Sequence, residues 1–147
     1  HNQILHDKMP RLLNSTEEIL RKLKRHCFLM LFASGDEKFQ KKVVRHHHFH
    51  SYFDCVLIKR VKNLSTFKEV KRLAVKLYER KLGQKPERIV MVGDRISQDI
   101  APARAVGFET VWVPGPYFPG CRTRVRPTHI IGKLEELPRV LHTKEND

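Results

Sequence analysis

Four short apolar runs divide this chain, and the stretches between them constrain its fold more than any other feature. CFLMLFA (27–33), CVLIKRV (55–61), RIVMVGD (88–94) and FETVWV (108–113) are bounded by polar turn residues and are too short for buried helices, so each predicts a strand. Their apolar character is nearly continuous rather than alternating, which predicts strands buried on both faces. Between them the periodicity changes to that of helices. From Asn14, NSTEEILRKLKRH has Ser15 and Glu18 at capping-box spacing and Ile19, Leu20 and Leu23 on one face. DEKFQKKVVRHH turns Phe39, Val43 and Val44 inward. STFKEVKRLAVKLYERKLG is the clearest helix: Phe67, Val70, Leu73, Ala74, Leu77, Tyr78 and Leu82 form one stripe, Ser65 or Thr66 can cap it, and Gly83 can end it. QDIAPARAVG predicts a short helix with Pro102 in its first turns, THIIG a fifth strand and KLEELPRVL a last helix. Alternation of this kind predicts an α/β fold, a Rossmann-like parallel sheet with helices on both faces.

A length of 147 residues suits one domain. The expectation is a single core domain over 1–147, with 1–13 as a lead-in segment and 114–127 as a Pro- and Gly-rich loop. Lys and Arg total 29 against 16 Asp and Glu, a formal charge of +13. That excess favours anionic partners: phosphorylated metabolites, nucleic acid or an acidic protein surface. The opposing reading is that the lysines only solvate helix faces. Cys27, Cys55 and Cys121 stand far apart with no CxxC spacing, which fits a reduced, intracellular and cytoplasmic setting. No apolar run approaches the ~20 residues that cross a bilayer, so no membrane partner is expected.

In sheets of this type ligands sit beyond the carboxyl ends of the strands. The polar residues there are Ser34, Gly35 and Asp36 after the first run, Lys62 after the second and Asp94 after the third. A carboxylate at the position of Asp94 can hold a hard cation, because Mg²⁺ needs only one or two protein carboxylates beside water and phosphate oxygens. Its alternative is a turn-forming role. Asp99 opens the following helix, where the macrodipole favours negative charge whatever else the residue does. Gly93 is read as the residue that lets the backbone turn sharply.

These pieces together are similar to the haloacid dehalogenase superfamily. MVGDRISQDIAPARAVGFETVWV (91–113) resembles its fourth motif, a strand ending in GD with a second acid five residues on. LMLFASGDEKFQKKVVRHHHFHSYFDCVLI resembles its second-motif region, and VKNLSTFKEVKRLA the stretch that carries its third-motif lysine, with Lys62 in that place. The resemblance covers residues 10 to 141. It implies a Mg²⁺-dependent phosphohydrolase acting on a small phosphorylated substrate. Asp94 would hold the cation with Asp99 in support, Lys62 would neutralise the nucleophile and the transferring phosphoryl group, and Ser34 with Gly35 and its neighbouring amides would bind phosphate oxygens.

The chain departs from the family pattern in two places. Ala33 occupies the second-motif Thr or Ser position, with Ser34 one residue later, and neighbouring strand residues face opposite ways. Ser34 therefore substitutes only if the chain has left the strand before it. The DxDx(T/V) nucleophile motif does not occur in the 147 residues. The strand that bears it is expected to lie between the first and third runs, so the chain is expected to be the carboxyl-terminal part of a longer protein and not self-sufficient. A different class of function is a non-catalytic module of a larger assembly, such as a ribonucleoprotein, using the +13 charge to bind nucleic acid or an acidic partner. In RHHHFH (45–50), His46, His47 and His48 are consecutive at a helix end and cannot all face one ion. Trp112, Tyr117 and Phe118 either line a substrate entrance or anchor a loop.

Overall fold

The computed structural model describes residues 14–114 and 125–142. The lead-in segment, Cys121, Tyr117, Phe118 and most of the Pro- and Gly-rich loop lie outside the described residues. The chain divides into two compact units, His1–Val61 and Lys62–Asp147.

In the first unit the order is α1 (Asn14–His26), β1 (Met30–Ser34), α2 (Glu37–His46), a single 3-10 turn (Phe49–Ser51) and β2 (Cys55–Lys59). The strands are parallel, with Phe32 opposite Leu57 and Ser34 opposite Lys59. β1 starts three residues later than the apolar run predicts. The cause is local: Cys27 N–H still bonds the Leu23 carbonyl at the end of α1, and Leu29 N–H donates to the Asp54 carboxylate at 2.8 Å. α2 is capped by Asp36, whose side chain accepts from Phe39 N–H. The helix buries Gln40, Val43 and Val44, while Phe39 stays half-buried. Gln40 is polar yet buried because its Nε2 donates to the Ser34 carbonyl at 3.0 Å.

The second unit comprises α3 (Leu64–Leu82), β3 (Val90–Gly93), a π-helical turn (Ile96–Ile100), α4 (Ala101–Ala105), β4 (Glu109–Trp112), β5 (His129–Ile130), a 3-10 turn (Leu134–Glu136) and α5 (Leu137–His142). Its sheet is parallel in the order β3-β4-β5. α3 buries Phe67, Val70 and Ala74, whereas Leu73, Leu77 and Tyr78 are half-buried and Leu82 is exposed. Its cap is Asn63, neither Ser65 nor Thr66. The Asn63 side chain accepts from Thr66 N–H and the Thr66 hydroxyl accepts from Asn63 N–H, both at 2.9 Å, and Gly83 ends the helix in the left-handed region at φ 74°. The fully buried Phe67 meets Phe108 edge-on at 6.2 Å, and such a side chain contributes about 2–3 kcal/mol by leaving water. Ile100, Ala103, Val111, Trp112, Ile131 and Leu137 join this core, and Thr110 is admitted to it by reciprocal bonds with Thr128, each 3.0 Å.

Burial of the strands departs from the expectation of two covered faces. β1, β2 and β3 are half-buried throughout, and only β4 is buried over most of its length. The reason is position, since β4 is the central strand of its sheet while a two-stranded sheet has no central strand at all. Among the described residues β1 pairs only with β2 and β3 only with β4. No described strand occupies the remaining edge of either one, the place expected of the nucleophile strand. The fold is α/β, with parallel sheets and helices. No helix among the described residues is long and apolar enough to cross a membrane.

Candidate metal and phosphate site

At the end of β3 the chain passes from Gly93 to Asp94 and then into the π-helical turn. Gly93 does not have the positive φ that a sharp turn would require; among the described residues the positive-φ glycines are Gly35, Gly83 and Gly107. The need for glycine is steric. A Cβ at position 93 would lie 2.4 Å from Asp99 Cβ and 2.6 Å from Asp99 Oδ2, distances no packed side chain tolerates. The Asp99 carboxylate lies directly against the strand end.

The π turn brings it there. Asp99 and Ile100 N–H both donate to the Arg95 carbonyl, at 2.8 and 3.2 Å, and Ala101 N–H reaches back to Ile96. A widened turn of this kind is frequent at functional sites, because it re-aims one side chain inside a helix. Asp99 therefore does not open a regular α-helix as its sequence position suggests. It is buried, at 3% exposure, and both oxygens are engaged. Oδ1 accepts from Lys62 Nζ at 2.8 Å and Oδ2 from Arg95 N–H at 3.1 Å. The side chains of this ion pair are 16% and 4% exposed, so it lies well out of water.

Asp94 is held by its backbone. Trp112 Nε1–H donates to the Asp94 carbonyl at 3.0 Å, and Val113 N–H donates to the Gly93 carbonyl at 2.9 Å. Trp112 is thereby an anchor for the turn, buried to 7% exposure. The Asp94 side chain is half-buried, and among the described residues its carboxylate accepts no hydrogen bond. Such a group is a hard oxygen donor ready for a cation, and a lone carboxylate is within the normal protein share of a Mg²⁺ shell. No group of three or more His, Cys, Asp or Glu arranged for a metal occurs among the described residues. His46, His47 and His48 do not form one; His46 and His47 meet edge-on at 4.9 Å and His47 stacks on Phe49.

Lys62, Asp94 and Asp99 all belong to the second unit, with Lys62 tied to Asp99 and Asp99 tied to the turn that carries Asp94. Ser34 and Gly35 belong to the first unit. Ser34 has not left the strand: it is the last paired residue of β1, and Gly35 N–H extends the ladder to the Lys59 carbonyl at 3.0 Å. Its side chain consequently faces away from that of Ala33. Sequence reasoning missed Arg95, whose backbone amide fixes Asp99, and the Trp112 indole. A Trp at the register position opposite Gly93 is the signal that could have pointed to the latter.

A family model described as haloacid dehalogenase-like hydrolase matches residues 4–107. Among solved structures, the 2-haloacid dehalogenase of Pseudomonas syringae pv. tomato DC3000 shares 23% identity at a TM-score of 0.72, over 97% of this chain and 59% of that one. The HAD-hydrolase YfnB of Bacillus subtilis, bound to magnesium, shares 21% at 0.70, over 88% and 56%. A HAD phosphatase of Thermococcus onnurineus shares 25% at 0.64, over 88% and 58%. The chain thus spans a little over half the length of these structures. A comparison with curated protein sequences returned no match.

Proposed function

The chain belongs to the haloacid dehalogenase-like hydrolase family, and on that premise we propose that it serves a Mg²⁺-dependent phosphohydrolase acting on a small phosphorylated substrate. The observation that carries this reading is the Asp94 carboxylate, unpartnered among the described residues at the end of β3, with the part-buried Lys62–Asp99 pair fixed to the same turn. Asp94 would hold the cation. A bound Mg²⁺ supplies Lewis-acid neutralisation of phosphoryl oxygens. Lys62 offsets the charge of the phosphoryl group as it transfers, and Asp99, whose oxygens are committed to Lys62 and Arg95, acts as a positioning residue and as indirect support for the cation. On the first unit the amides after Gly35 are the proposed phosphate-oxygen donors, because Ser34 is still paired within β1 and so does not meet the condition for taking the second-motif place.

The nucleophile of the reaction is not among these 147 residues, which contain no DxDx(T/V) sequence. On this reading the chain contributes the cation-holding, charge-neutralising and phosphate-binding groups, and the attacking aspartate would be supplied by sequence other than these 147 residues. The likeness to a phosphatase and to a magnesium-bound hydrolase supports this reading.

The test is hydrolysis of p-nitrophenyl phosphate by the protein carrying that aspartate, with Mg²⁺ and with chelator. Turnover should require Mg²⁺, and Asp94→Asn should abolish it while leaving the circular dichroism spectrum unchanged. Full activity in that variant would overturn the assignment.

A further inference from the structure

The +13 charge is not spread evenly in its chemical setting. On α2, Lys41 is paired with Glu37 at 2.9 Å, and beside the sheet Arg88 is paired with Glu109 at 2.6 Å. On α3 the pattern is different. Lys68, Arg72, Lys76 and Arg80 succeed one another at four-residue spacing, so each consecutive pair is a like-charge i,i+4 neighbour, an arrangement that destabilises a helix. All four are exposed, and among the described residues none of them forms an ion pair. At the amino-terminal half of this row, Lys68, Lys71 and Arg72 line an open hollow of about 320 Å³ with Ala105 and Val106 at the end of α4. Lys71 is held in place there, because its Nζ donates to the Val106 carbonyl at 2.6 Å. The repulsion along this face is relieved when an anion lies over it.

We propose that the Lys68–Arg80 face of α3, with its hollow against the end of α4, is a nucleic-acid-binding surface that grips the phosphate backbone without reading sequence. The length of the row selects this occupant. At 1.5 Å rise per residue, successive cations stand about 6 Å apart along the axis and the four span about 18 Å. A single phosphorylated metabolite would engage one or two of them, whereas a strand of regularly repeated phosphates engages the whole row. Among the described residues the hollow is lined by no aromatic side chain that could stack a base, so the contact is with phosphate and is sequence-independent. This surface is independent of the Asp94 site and does not rest on its chemistry.

The experiment is fluorescence anisotropy with a labelled DNA duplex of mixed sequence and a labelled single-stranded RNA, each titrated over a range of salt. The wild-type chain should bind with an affinity that falls linearly on a log–log plot against salt. Lys68→Gln/Arg72→Gln should weaken binding roughly tenfold or more and lower the slope by about 2, near 0.9 for each phosphate that is no longer neutralised. Lys38→Gln/Lys42→Gln on α2, which removes the same charge from another exposed helix, should retain most of the affinity. Asp94→Asn should bind as wild type does, which separates this result from the hydrolase assay. An equal loss of affinity in both double variants, a flat salt response, or displacement of the oligonucleotide by polyglutamate at equal charge would each overturn the proposal. Circular dichroism of each variant excludes unfolding as the cause.

Discussion

Lys62 Nζ and Asp99 Oδ1 meet at 2.8 Å across 37 residues of sequence, with both side chains withdrawn from water. Removing one partner leaves the other charge largely desolvated without its ion-pair partner, which for such pairs costs about 3–5 kcal/mol, whereas an exposed pair contributes under about 1 kcal/mol. Asp99→Asn and Lys62→Met should each lower the denaturant-derived stability by the larger figure, and the double variant should lose less than the sum of the two. A loss under about 1 kcal/mol in either single variant would place the pair in the weak, solvated class.

Gly93→Ala should destabilise by about 1–3 kcal/mol, as overpacking does when a methyl enters occupied space. The obstacle is the Asp99 side chain, 2.4 Å from where the new Cβ must sit. In an Asp99→Gly background the same change should cost far less, because the clashing atoms are gone. Equal cost in both backgrounds, measured by thermal unfolding, would show that something other than Asp99 demands glycine.

His47, at the carboxyl cap of α2, is a pH-sensitive group. Burial first, and then the neighbouring His46, lower its pKa below the ordinary 6.5. Both causes disfavour the protonated form, so the native state binds a proton less readily than the unfolded chain does. The contribution of neutral His47 is complete above pH 6.5 and is lost as the pH falls through the lowered folded-state value. His47→Phe, which keeps a ring against Phe49, should flatten that acid limb in stability measured against pH. An unchanged limb would assign it to other groups.

Much of the fold could be read along the chain because its determinants are local. The α3 stripe of Phe67, Val70 and Ala74, the stop at Gly83 and the parallel αβ alternation all follow from periodicity and propensity, which act within a few residues. Asp94 and Lys62 were legible as polar residues beyond strand ends, and Asp99 as an acid at the start of the next helix, for the same reason. Their partners were not. The Asn63 cap displaced Ser65 and Thr66 because a reciprocal pair of bonds outcompetes a single one.

Strand burial failed as an expectation since it depends on which strand ends up central, and only β4 does in the second sheet. The steric role of Gly93 was hidden because it depends on where a residue six positions later is aimed. That aim is set by the π turn, which no local propensity in ISQDI announces.

The menu of elements, their order and the placing of acids and a lysine at strand ends came from the sequence alone, because hydrophobic periodicity and caps operate at short range. Only the tertiary structure decided that Asp99 is committed to Lys62 and Arg95 while the Asp94 carboxylate stays open among the described residues. That division rests on angstrom-scale contacts between groups far apart in the chain, and short-range preferences carry no information about them.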